Sequence, residues 1–217
     1  MLRRFLPLLL LLALLMGCNR ESFDLEQSSL YPIVVATHTR QGDSYLGEGV
    51  ALTLLGSSFD SDKEYQFSLK SPHESYVWER MVRPFESSGL LYLGSNDLLL
   101  PPEETLEGGV WSVELFLPDG RQRSQDIEFS PSRRTLDQAL LEVSMLSPLE
   151  WELSSGGWSF DLYEGEWHYT LYGPTPPKSF QRKFTVDEKV KGETSAVVAL
   201  RYDETVNLFY VVRTLFD

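Results

Sequence analysis

Three observations predict a mainly β chain. Short segments rich in β-branched and aromatic residues recur from Pro32 onward, separated by clusters of Gly, Ser, Asp and Pro. Within the clearest of them apolar and polar residues alternate, as in Trp111, Val113, Leu115 and Leu117, so one face is apolar and the other is not. A single stretch, bounded by Pro131 and Pro148, switches to helical spacing. The prediction is an antiparallel two-sheet sandwich over residues 31–130, then one amphipathic helix and an antiparallel β-meander within residues 131–217.

In the first half, "PIVVATHT", "GVALTLLG", "KEYQFSLK", "SYVWERMV" and "GLLYLG" read as strands. "GGVWSVELFLPDGRQRSQDIEFS" reads as a hairpin that turns at Pro118-Asp119-Gly120, where glycine accepts the positive φ such a turn requires. Strands this short, turning about every 8 to 12 residues, argue for two packed sheets. The rhythm resembles that of immunoglobulin-like and fibronectin-type domains, although the one cysteine of the chain rules out the Cys-Trp-Cys core of true immunoglobulin domains. Leu136, Ala139, Leu140, Val143 and Leu146 then recur at helical spacing, with Thr135 and Gln138 as a capping box and Pro148 as the stop.

Beyond the helix, "WSFDLYEGEWHYTLY" predicts a hairpin turning at Glu164-Gly165, with Trp158, Phe160 and Leu162 on one face and Trp167, Tyr169 and Leu171 on another. "SFQRKFTV", "ETSAVVALRYD" and "TVNLFYVVRTLF" complete a meander of about five strands, the last two joined around Asp203-Glu204. The change of rhythm near residue 131 marks either a domain junction or an elaboration of one sandwich.

At the N-terminal end, Arg3 and Arg4 precede an apolar run from Phe5 to Met16 that only Pro7 interrupts, the pattern of a secretory signal over residues 1–17. The run falls short of the roughly 20 apolar residues that a membrane helix needs. Leu15-Met16-Gly17-Cys18 resembles the bacterial lipoprotein signal, the lipobox, with Met16 bulkier than the residue usual at its position. That resemblance implies cleavage after Gly17, a diacylglycerol thioether on the Cys18 sulfur, and an acyl chain such as palmitate on the new amino group. Each buried methylene contributes about 0.8 kcal/mol, so two or three chains anchor firmly. The implied location is a bacterial cell envelope, with the protein lipid-anchored to a membrane on its periplasmic or cell-surface side. Residues 18–30 then read as the lipidated cysteine and a polar tether without apolar period.

Loss of Arg3 and Arg4 with the signal would deepen the formal charge from −13 by two. So acidic a chain repels nucleic acid, and no nucleic-acid partner is expected. With Cys18 committed to lipid, no disulfide forms, and packing alone must stabilise the fold. His38, His73 and His168 have no metal-ligand spacing. Asp60, Asp62 and Glu64 open like a calcium loop, but Tyr65 stands where glycine is needed and Ser71 where a closing Glu belongs. No Gly-x-Ser-x-Gly elbow occurs, and Gly108-Gly109 precedes a strand instead of a phosphate-binding helix. Asp161, Glu164 and Glu166 read as exposed hairpin charges. No catalytic residue, cofactor or metal site is therefore expected, and the chain is not expected to be an enzyme.

Alternation predicts that Trp158 and Trp167 are buried, yet Trp158, Phe160, Trp167 and Tyr169 are also the candidate ligand-binding residues if the meander curls into a cup. Two functions follow as expectations. One is a non-catalytic binding or structural module for an envelope protein or polysaccharide, held to a membrane through Cys18. The other is a carrier of a small hydrophobic ligand in the C-terminal strands.

Overall fold

The first fourteen-residue strand, β1 (Leu25–His38), turns its two sides to different packing environments, and the rest of the fold is arranged around it. A computed structural model describes residues 25–56, 59–182 and 184–216; Cys18 and the rest of the signal-like segment lie outside the described residues. The chain is mainly β. From β1 it runs through β2 (Ser44–Gly56), β3 (Tyr65–Lys70), β4 (Val77–Val82), β5 (Phe85–Ser87), β6 (Leu90–Leu99), β7 (Gly109–Phe116) and β8 (Gln122–Phe129). Helix α1 (Arg133–Ser144) follows, then β9 (Trp151–Ser154), β10 (Gly157–Phe160), β11 (His168–Tyr172) and β12 (Lys178–Phe180). Helix α2 (Glu188–Glu193), β13 (Ala196–Asp203) and β14 (Leu208–Leu215) complete it.

The strands form an eight-stranded sheet in the order β12-β11-β13-β14-β1-β2-β6-β5, a four-stranded sheet β4-β3-β7-β8, and a β9-β10 hairpin. The hairpin expected around Pro118-Asp119-Gly120 is β7-β8, paired from Gly109↔Phe129 to Phe116↔Gln122, with Gly120 at φ +83°. Its alternating Trp111, Val113, Leu115 and Leu117 are all buried, where they meet Val34, Ala36, Val50 and Leu52 of the larger sheet in one core. Trp78 stacks on Trp111 within that core, ring centroids 5.8 Å apart.

Four expectations are corrected. The tether does not extend to residue 30, because β1 already pairs with β2 at Leu25↔Gly56 and the Ser28 hydroxyl bonds to the Gln125 side chain of β8. Residue 131 divides no sheet: β1 pairs in parallel with β14 from Ile33↔Phe209 to His38↔Thr214, so strands from both predicted segments share one hydrogen-bonded layer. The C-terminal strands are not a simple meander. β10 folds back on β9 through Ser155-Gly156, a nearer turn than Glu164-Gly165, while β11 lies between β12 and β13. Finally there are two α-helices among the described residues; the second is opened by the Asp187 side chain, which accepts from the Val190 N–H at 2.8 Å.

Helix α1 forms where its spacing predicts, but its N-cap is Ser132, whose hydroxyl accepts from the Thr135 N–H, and not Thr135 itself. Leu136, Ala139 and Val143 enter the core. A charged clasp fixes the helix to the sheet. Glu48 of β2, with only 4% of its side chain exposed, accepts two bonds from the Arg133 guanidinium at 2.5 and 2.8 Å and a third from the Leu106 N–H at 2.8 Å. These bonds raise the Arg133 pKa, burial opposing them, and Asp137 adds to the rise. A buried carboxylate with three donors is well compensated, and one robbed of its cation is not. Arg133→Ala is therefore expected to cost about 2 kcal/mol, discounted because Arg133 is part-exposed, and Glu48→Gln, which keeps a bond to the Leu106 N–H, only about 1 kcal/mol. Urea unfolding of both variants checks the order.

Candidate functional site

The side-by-side ends of β1 and β14 open onto a cleft of about 730 Å³. Its walls come from the turn after β1, the segment joining α1 to β9, helix α2 and the end of β14. Trp151 is the aromatic wall. Its ring is set by Phe160, with centroids 4.0 Å apart, and by Phe216 at 5.8 Å. Arg40 and Lys191 supply cations to the lining, and Glu150 and Glu188 supply carboxylates. The Thr39 hydroxyl, buried at the same place, has no hydrogen-bond partner among the described residues. Leu149 is held to the floor by its N–H, which donates to the Thr214 hydroxyl at 3.0 Å.

The four aromatic residues singled out by alternation do not act together. Trp167, Tyr169 and Phe160 are 2%, 1% and 4% exposed, inside the main core. Tyr169 stacks on Phe180, 5.3 Å between centroids, and Trp167 meets the edge of Tyr163 at the same separation. Phe160 belongs to the other aromatic group, with Trp151 and Phe216. Only Trp158 remains part-exposed, and its face is taken: the Lys191 ammonium sits 3.2 Å from the ring centroid, while its indole N–H donates to the Glu188 carboxylate. Sequence reasoning missed Thr39 and Lys191, which nothing local marks. Trp151, one of five tryptophans, is of the residue type that invites a binding reading, and β9 sets it at the cleft.

The remaining polar groups have structural work. The Asp60 carboxylate accepts from the Asp62 N–H and pairs with Lys63 at 2.9 Å, which lowers its pKa, so the acidic run closes a turn. No group of three or more metal-type side chains occurs among the described residues. The Arg201 guanidinium lies over Tyr210 at 4.1 Å and Trp167 at 5.1 Å and bonds to Glu142 of α1 at 3.3 Å, a second tie between helix and sheet. Burial pushes the Tyr163 hydroxyl pKa up, and that hydroxyl donates to the Ser147 carbonyl at 2.6 Å.

His38 ends β1, one residue before Thr39 of the cleft, and is 6% exposed, its Nδ1 2.8 Å from the Ser44 hydroxyl. Burial lowers its pKa from 6.5, and the Leu146 carbonyl works in the opposite direction. No protein-family model and no curated protein matches the chain. No helix among the described residues is long and apolar enough to cross a membrane.

Two outcomes test these placements. Trp167→Ala is expected to cost about 3–5 kcal/mol, the range for a core aromatic, and Trp158→Ala about 1 kcal/mol, both read from denaturant midpoints. The unfolded chain takes a proton on His38 near pH 6.5 before the folded chain does, so the stability His38 contributes is full above that pH and is lost as pH falls toward the lower folded value. Unfolding free energies measured across this window should decline more steeply for the native chain than for His38→Gln.

Proposed function

We propose that this chain is a lipid-anchored bacterial envelope lipoprotein that acts without catalysis, as a binding or structural module for an envelope protein or surface polysaccharide. The observation that carries this reading is the lipobox-like Leu15-Met16-Gly17-Cys18 standing close before a folded strand that begins at Leu25. Residues 19–24, fully extended, reach about 20 Å, so a lipid on Cys18 would keep the body against its membrane.

The immunoglobulin-like frame is part of the proposal. Its support is the strand order, β1-β2-β6-β5 facing β4-β3-β7-β8, which matches the two-sheet arrangement of such sandwiches. The Trp151 cleft is the proposed contact site. Its mixed lining suits a saccharide, whose C–H face stacks on an aromatic ring while its hydroxyls reach charged and hydroxyl side chains. An alkyl chain seated there would strip water from Arg40, Glu150, Glu188 and Lys191 without replacing its hydrogen bonds. The alternative of a hydrophobic-ligand carrier draws no support from Phe160, Trp167 and Tyr169, whose rings pack on neighbouring side chains.

The native protein is expected in the membrane fraction with a mass increased by diacylglycerol and an acyl chain, and Cys18→Ser in the soluble fraction. Intact-protein mass spectrometry finding a free thiol at Cys18 would refute the anchor.

A further inference from the structure

Strand register fixes what stands beside the start of β1. Leu25 pairs with Gly56 at the end of β2, and a neighbouring row of the sheet sets Gln27, Leu55 and Tyr92 side by side. Two residues before Tyr92, toward the Leu25 end, Leu90 opens β6 at the tip of the β5-β6 hairpin. Leu25 and Leu90 therefore stand at one end of the sheet, two strand spacings or about 10 Å apart. The tip is tight. β5 and β6 are joined by Ser88-Gly89 at φ +53° and +76°, the pair of positive values that a two-residue hairpin turn demands.

This hairpin shows apolar side chains to solvent. Leu90 and Phe85 are each 48% exposed. Leu90 pairs with Ser87 and Phe85 with Tyr92, so both lie on one side of the hairpin, and Phe85 is fixed there by stacking on Tyr92 at 5.8 Å. Glu86 pairs with Leu91 and belongs to the other side. β8 runs beside β1 in the same sense, since Ser28 bonds to Gln125 and Leu30 and Pro32 share a hollow with Phe129. The turns before β3 and β8 thus lie at the Leu25 end as well. Three cations there are already engaged: Lys63 by Asp60 at 2.9 Å, Arg83 by Glu64 at 3.1 Å and Arg121 by Asp119 at 2.6 Å. What this end offers a partner is apolar surface, not positive charge.

We propose that the β5-β6 tip rests on the membrane, with Leu90 and Phe85 in the headgroup region of the bilayer that holds the lipid on Cys18. The inference rests on the anchorage proposed above. Residues 19–24 reach about 20 Å at full extension, so the bilayer surface stays near Leu25 and hence near the tip. Two half-exposed side chains fall far short of the roughly 800 Å² per partner that a stable dimer needs. A bilayer asks for no matching surface, and an anchored chain meets it at high effective concentration, so a small apolar contact suffices to set orientation. A net charge of −13 leaves apolar insertion, and not attraction to anionic headgroups, as the source of the contact. The orientation has a consequence for the cleft. β1 spans about 40 Å from Leu25 to His38, so a chain resting on the hairpin tip presents the Trp151 cleft away from the membrane.

Lipidated full-length protein reconstituted into phosphatidylcholine vesicles tests this. With Cys18 consumed by lipid, Ser87→Cys and, in a separate chain, Leu153→Cys each offer one thiol for a fluorophore. A lipid carrying a nitroxide near its headgroup quenches a probe that reaches the outer 5–10 Å or so of the interface. Position 153 is 70% exposed on β9, two residues from Trp151 of the cleft. Quenching at 87 is expected to exceed that at 153 at least about threefold. Phe85→Glu with Leu90→Glu should bring the ratio to about one while the protein still floats with the vesicles and keeps its native circular dichroism. Equal quenching at the two positions in protein that floats would overturn the orientation and leave the anchor standing. So would quenching at 87 that the two glutamates leave unchanged, or a tip shielded from lipid in a particle of twice the monomer mass. Protein that stays off the vesicles with a free thiol at Cys18 would overturn both the anchor and the orientation.

Discussion

Everything in this fold depends on β1 being paired on both sides. On one side lies β2, its neighbour in sequence; on the other lies β14, the last described strand. The second pairing is parallel and brings together residues near the two ends of the described chain, the kind of contact whose loop-closure cost must be met by burial. It is met here on both faces of the strand. Val34 and Ala36 enter the main core, and Ile33 and Val35 the smaller outward cluster, with none of the four more than 3% exposed. A strand so placed reads as the nearly continuous apolar run Ile33-Val34-Val35-Ala36, the sequence signature of parallel pairing with both faces covered.

Around that strand, charged side chains decide how the helix is set. Glu48 and Arg133 clamp the start of α1, and Arg201 and Glu142 hold its later part against β13. Neither pair adds much stability as an isolated Coulomb attraction, because Arg133, Arg201 and Glu142 all keep contact with water. Their effect is to fix the rotation and position of a helix whose own burial rests on Leu136, Ala139 and Val143. The same clamping shapes the cleft, since the segment leaving α1 supplies Leu149, Glu150 and Trp151 to its lining.

Local features were legible in the sequence, and distant ones were not. Alternation located β7 and β8, the burial of Trp111, Val113, Leu115 and Leu117, and the burial of Trp167, because a period of two needs no knowledge of the partner strand; Trp158, expected to be buried on the same ground, is only part-buried. Helical spacing located α1, although Ser132 competed successfully with Thr135 for the cap. What escaped was set by partners far along the chain. Nothing near Leu25 announces that a polar segment will be strand, since its pairing comes from β2 and a side-chain bond from β8. The return of β14 to β1 and the choice of β9 over β11 as the partner of β10 are likewise products of assembly. The candidate site followed the same rule. Aromatic alternation marked core residues, whereas the cleft is made by Thr39, Trp151 and Lys191, which only the tertiary fold brings together.

If β1 joins the two segments into one cooperative body, its amides should open only when the whole body opens. Native-state hydrogen exchange under increasing denaturant is the direct measurement. Amides of Val34 and Ala36 in β1, Val113 in β7 and Val197 in β13 are predicted to converge on one opening free energy with one denaturant slope. Exchange of the β11, β13 and β14 amides at a lower free energy and with a slope of their own, while β3 and β7 stay protected, would contradict the account.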